Sequence, residues 1–193
     1  MGEAPQGHND MIYHLTLQTT GLAAGLLLIL SHLFALIRPE QTVEWAKAFP
    51  RSRGAATVLI AVAAVWSFLL VRSIDLGEFS SLRNIMLVAI VAGAVLSWIY
   101  VPEFLAVRAL GMLLLLAAEP LLESAVLRHE LSRLLLVVLA YAWVIAGLFY
   151  VGMPYLLRDA IQWVISDRNR LKFGALAGTV YGLALVGCAL FIW

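Results

Sequence analysis

Six stretches of this chain are, or can be extended to be, long and apolar enough to cross a lipid bilayer, and they occupy most of its length. An apolar helix needs about 20 residues to span the hydrocarbon, with about 17 to 25 workable. Residues 15–37, 54–71, 134–153 and 173–193 meet that requirement outright, and 85–101 meets its lower limit before reaching Pro102, a residue suited to the first turn of another helix. The sixth stretch is less plain. The apolar run 104–118 is short and contains Arg108, but a helix from Pro102 through a kink at Pro120 to Leu122 has 21 residues and reaches about 31 Å at ~1.5 Å per residue. Backbone polar groups find no water in hydrocarbon, so such segments must be helical. The expected fold class is therefore an all-α integral membrane protein, a bundle of six transmembrane helices with short loops in a single transmembrane domain, 1–193.

Composition supports this reading and excludes others. The chain is 63% hydrophobic and 13% charged, with a mean hydropathy of +0.93, outside the range of a domain with a water-facing surface. Lys+Arg (13) and Asp+Glu (12) nearly balance, giving a formal charge of +1, so no basic excess points to nucleic acid. The expected partners are the lipid bilayer and, through small-residue faces, other membrane subunits or a second copy. Cys188 is the single cysteine, which leaves no pair for a disulfide or a CxxC site. MGEAPQGHND carries no Lys or Arg and so lacks the basic region of a cleaved signal peptide, which leads us to expect that the first apolar segment is retained. Eleven of the 13 basic residues are Arg, a bias that suits a GC-rich bacterial genome and hence a bacterial cytoplasmic membrane.

Orientation follows from where those cations fall, because cytoplasmic loops collect Lys and Arg. With six spans, Arg38, Lys47, Arg51, Arg53, Arg108, Arg158, Arg168, Arg170 and Lys172 lie on one side, and only Arg72, Arg83, Arg128 and Arg133 on the other. With five spans the bias almost vanishes. Six spans with both termini on the non-cytoplasmic side is the consistent arrangement. Two connections, EQTVEWAKAF between Pro39 and Pro50 and YLLRDAIQWVIS after Pro154, read as interfacial amphipathic helices anchored by Trp45 and Trp163.

Helices in lipid gain little from hydrophobic association, so small residues that admit close backbone contact mark their interfaces. Gly174, Gly178 and Gly182 recur every fourth residue on the last helix, and Gly21 and Gly25 do so on the first. These faces could pack on each other or on a second copy. Thr179 and Tyr181 lie beside the stripe, placed to hydrogen-bond across it.

The polar groups inside the apolar segments are the functional candidates. In LAAEPLLESAVLRHE, Glu119 and Glu123 stand one turn apart on one helical face, their Cβ atoms ~5–6 Å from each other. Two carboxylates that close in an apolar setting repel unless a proton or a cation is shared between them, which makes a proton or cation site the sharp reading. A solvated helix end at the membrane boundary is the bland one. Arg108 lies on nearly the same face but ~16 Å away along the axis, too far to pair with Glu119 on its own helix. It is expected to pair with Glu103 or to face another helix. His14 and His129, with His8, fall on the same side as the two glutamates, which would permit a His/carboxylate metal site or a bis-histidine haem. No metal-ligand spacing supports such a site, and no cofactor is assigned. There is no phosphate loop, nucleophile elbow or Ser/His/Asp ordering, so catalysis is not expected.

WVIAGLFYVGMPYLLRDA, residues 143–160, resembles the helix end WxAGLFYLPRL of the bacterial membrane protoporphyrinogen oxidases. That resemblance implies a four-span protein with histidine haem ligands. It covers less than a tenth of the chain, and the histidine that the family carries on the preceding turns has no counterpart near Tyr141 or Trp143, so neither haem nor the reaction transfers. Three functional readings remain in order: a non-enzymatic accessory or assembly subunit of a membrane complex, a small transporter or proton/cation pathway using Glu119, Glu123 and Arg108, and a haem- or metal-binding redox protein using His14 and His129.

The nine-to-four distribution of cations predicts that alkaline phosphatase fused after Trp193 is active, whereas the same enzyme fused within 38–53 is inactive. A C-terminal fusion as inactive as the one within 38–53 would restore five spans, and the reverse pattern would invert the orientation.

Overall fold

The computed structural model describes Tyr13 and residues 15–101, 103–126 and 128–193. Among them are eight α-helices and no strand: α1 Leu17–Ile37, α2 Pro39–Ala48, α3 Arg53–Ser73, α4 Arg83–Tyr100, α5 Leu105–Ala125, α6 Arg133–Gly152, α7 Tyr155–Ile165 and α8 Arg168–Phe191. Six of them, all but the short α2 and α7, are long and apolar enough to cross a membrane, that of α4 being counted with the 3₁₀ turns Gly77–Leu82 that lead into it.

Polar caps set several starts. Thr16 accepts from the Thr19 N–H (3.2 Å) before α1, Ser52 from the Ala55 N–H (3.2 Å) before α3, and Asp167 from the Asn169 N–H (2.9 Å) before α8. The Asp167 cap is why α8 begins at Arg168, with the charged turn RNRLK ahead of the apolar segment expected from residue 173. The fourth span also differs from expectation. Phe104 is left-handed (φ 55°, ψ 23°), so the helix cannot include it, and its carbonyl instead accepts from Val107 and Arg108 at 3.0 and 3.1 Å. α5 therefore runs from Leu105 and continues past Pro120, which it contains, to Ala125. At that end, Arg133 donates to the Ala125 carbonyl (2.9 Å), satisfying an acceptor the helix leaves free.

The helices associate in two intimate pairs, α1 with α8 and α5 with α6. Leu17, Ala24, Ala118, Leu121, Leu136, Ala140 and Leu185 join the pairs in one buried cluster. A second cluster, Ala56, Ile60, Leu105, Ala106 and Ala109, seats α3 on the first turns of α5. α4 lies outermost, against α3, tied by Trp98 Nε1 donating to Thr57 Oγ1 (3.1 Å) and by Arg83 donating to the Ile74 carbonyl (2.9 Å).

Glycines make both pairs possible. A Cβ placed on Gly182 would lie 2.8 Å from the Gly25 carbonyl oxygen, and one on Gly25 would lie 2.9 Å from that of Gly182. Between α5 and α6, Gly111 and Gly147 are related in the same reciprocal way, at 2.9 and 2.8 Å. The obstacle in each case is backbone, which cannot rotate aside as a side chain can. Gly21 packs beneath the Trp193 ring and Gly178 beneath the His32 ring, while Gly174, expected in the same stripe, has nothing within 4 Å. The stripe is thus two glycines deep against α1, because above Gly178 the helices no longer touch at that face. Tyr181 bonds across to the Leu135 carbonyl of α6 (2.6 Å), whereas Thr179 turns back to its own Ala175 carbonyl (2.8 Å).

Replacing Gly178 by Leu must expel the His32 ring from the α1–α8 contact, with an expected loss of about 1–3 kcal/mol. Gly174→Leu, into open space, should not lower the melting temperature in detergent. Equal effects from the two substitutions would show that the stripe does not pack as described.

Candidate functional site

The charged side chains of the apolar helices lie toward the two ends of the bundle. At one end α5 carries Glu119 and Glu123, both half-buried, and Tyr13, four residues ahead of α1, is drawn onto them. The Tyr13 backbone N–H points at the Glu123 carboxylate, 3.4 Å from one oxygen and 3.3 Å from the other, a long and bifurcated contact. The Tyr13 hydroxyl in turn accepts from Trp66 Nε1 of α3 at 2.8 Å. Burial raises the Tyr13 phenol above the ordinary tyrosine range. The Trp66 bond opposes that shift, and the nearby Glu119 and Glu123 reinforce it. Among the described residues, no hydrogen bond reaches the Glu119 carboxylate. The sequence identifies the pair of glutamates, but Tyr13 and Trp66 are joined to them only by the fold.

No protein-family model, no curated protein and no solved structure matches this chain. The likeness of residues 143–160 to a family fragment therefore stays a local one, at the end of α6 and the first turns of α7.

The remaining candidates are not brought to the carboxylates. Arg108 lies near the opposite end of α5, where its Nε is buried without a hydrogen-bond partner, and among the described residues it forms no ion pair with Glu103 or any other acid. Ten uncharged residues, ALGMLLLLAA, separate it from Glu119. His14 and His8 lie outside the described residues. His129 is exposed in the segment between α5 and α6, and among the described residues no three His, Cys, Asp or Glu side chains gather as a metal site would require. His32 sets its Nδ1 2.9 Å from the Leu28 carbonyl of its own helix, which accounts for that ring nitrogen locally.

Chemically, the end formed by Tyr13, Trp66, Glu119 and Glu123 is a clasp. One carboxylate holds the backbone leading into α1, and the phenol–indole bond fixes that backbone to α3. Glu123→Ala should then speed amide hydrogen exchange at Tyr13 several-fold, as expected for losing a bond worth roughly 1 kcal/mol, while Glu119→Ala should leave it unchanged. Exchange at Tyr13 that is insensitive to Glu123 would remove the clasp.

Proposed function

We propose that this chain is a non-catalytic integral membrane subunit that packs against another membrane protein through α4. The observation carrying this reading is that α4 has no buried residue along its 18-residue length. Its inner face, Leu87, Ile90, Ala94 and Ser97, rests on α3, whereas Ala89, Ala92 and Gly93 are neighbours on an exposed face, and a Cβ on Gly93 would meet nothing within 4 Å. Small residues flanked by Val88 (68% exposed) and Leu96 (52% exposed) make a shallow notch of the kind that admits a second helix at close range. The glycines first expected to recruit partners, Gly21, Gly25, Gly178 and Gly182, are occupied inside the chain, so a partner helix needs another surface, and α4 offers one.

Membrane residence is part of the proposal. The outward surface is apolar on all six long helices, with Leu30 67% and Val180 56% exposed. The bacterial cytoplasmic membrane, with both termini outside, is the setting that the cation distribution favours.

Gentle extraction from native membranes should yield the chain in a complex of defined mass larger than its 21.1 kDa. Gly93→Leu should release the chain from that complex without lowering its own melting temperature. A wild-type chain that is monomeric in every mild detergent would overturn the reading.

A second reading draws on the half-buried Glu119, which no hydrogen bond reaches among the described residues, beside Glu123 and the Tyr13 phenol, an arrangement suited to exchanging a proton or small cation from one face of the membrane. Against a full pathway stands the uncharged decapeptide between Glu119 and Arg108. Vesicles reconstituted with the protein and loaded with a pH-sensitive dye should show a proton flux lost in Glu119→Gln if this reading holds, and no flux above empty vesicles if it does not.

A further inference from the structure

At the end of the bundle opposite the glutamates, three separate segments converge on a cavity of about 260 Å³. Lys47 comes from the last turn of α2, and Arg51 from the 3₁₀ turn Phe49–Arg51 that follows it. Arg158 and Gln162, one turn apart, come from α7, and Phe104 enters from the left-handed residue before α5. The Arg158 guanidinium lies over the Phe104 ring at 5.9 Å and is held by its neighbour Asp159, from Nε and one terminal nitrogen at 2.8 Å each. Among the described residues, Lys47 and Arg51 have no such acidic partner. None of the cavity-lining residues is acidic.

Two cations on neighbouring turns, without an ion pair among the described residues, repel, and such i,i+4 pairs are weakly destabilising in themselves. Here the chain adds a third cation, a side-chain amide and an aromatic platform around the same space. An anion with several acceptor oxygens would relieve the repulsion and use the donors of Lys47, Arg51 and Gln162 together. The volume, just below the ~300–1,000 Å³ usual for cofactor and drug-sized ligands, has room for a small anionic group. Apolar lining from Pro50, Ile161 and Ile165 borders the donors.

We propose that this cavity is a phosphate-binding site, taking the phosphate of an anionic lipid headgroup or of a soluble phosphate ester. The site is independent of the α4 surface and stands whether or not α4 has a partner. On the lipid side, basic pockets at the cytoplasmic ends of helices are suited to anionic headgroups.

The test uses the full chain, with Lys47→Gln/Arg51→Gln as the cavity variant and Arg168→Gln/Lys172→Gln as a control that removes two exposed cations elsewhere. Unchanged melting in pure phosphatidylcholine nanodiscs first establishes that both variants are folded. Native mass spectrometry then titrates phosphatidylglycerol, and a parallel arm in neutral detergent titrates inorganic phosphate against chloride at equal ionic strength. Saturable retention of phosphatidylglycerol, weakened at least about tenfold in the cavity variant and unchanged in the control, supports a lipid headgroup. Saturable binding of inorganic phosphate with the same variant dependence supports a soluble ester. Equal losses in both variants, or no saturable binding in either arm, would overturn the site.

Discussion

The close approach of backbones at Gly25–Gly182 and Gly111–Gly147 is the contact on which the rest of this bundle depends. Its helices present Leu, Val, Ile and Phe outward, and in the bilayer proposed for them such side chains gain little by leaving lipid for another helix. What remains is dispersion between closely fitted surfaces, which falls away quickly once a gap opens. The reciprocal carbonyl contacts, all at 2.8 or 2.9 Å from a would-be Cβ, place each helix pair as near as backbones allow. α3 is then seated on α5 by alanines, and α4 on α3 by a narrower strip, so packing weakens outward from the two glycine-paired units.

That arrangement also explains where the polar groups lie. A core filled with Gly, Ala and Leu has no room for charged side chains, which collect at the ends. Glu119, Glu123, Tyr13 and Trp66 clasp one end, and the convergence of α2, α7 and Phe104 makes the other basic. The two ends are separated along α5 by a decapeptide without a hydrogen-bonding side chain. In the reading proposed above, the exposed α4 face suits association with another protein, and the uncharged decapeptide of α5 disfavours passage of an ion along it.

Much of the architecture was legible in the residues. Segment length and hydropathy place six helices, and the amphipathic segments after Pro39 and Pro154 fold as α2 and α7. The limits came where tertiary context overrides local signals. Pro102 suggested a helix start, but the left-handed Phe104 delays it to Leu105. A spacing of four made Gly174, Gly178 and Gly182 look equivalent, yet α1 meets only the latter two. Gly111 and Gly147 are isolated glycines without a motif, and nothing in a single sequence pairs them. The glutamates stood out as carboxylates in an apolar run, whereas Tyr13 lies 110 residues from Glu123 and 53 from Trp66, a separation at which no sequence pattern operates. The cavity cations were visible as loop charges that set orientation, and their convergence required the fold.

The glycine contacts are tested most directly by single Gly→Ala substitutions read through reversible unfolding in mixed micelles. In an open helical position Gly→Ala stabilises by up to ~1 kcal/mol through helix propensity, and Gly93 provides that reference, since its added methyl meets nothing within 4 Å. At Gly25, Gly111, Gly147 and Gly182 the same methyl meets a carbonyl oxygen at 2.8 or 2.9 Å and must push two backbones apart. The account predicts stabilisation at position 93 and destabilisation at the other four. Stabilisation at all five would contradict it, because the helices would then be held together by something other than backbone proximity.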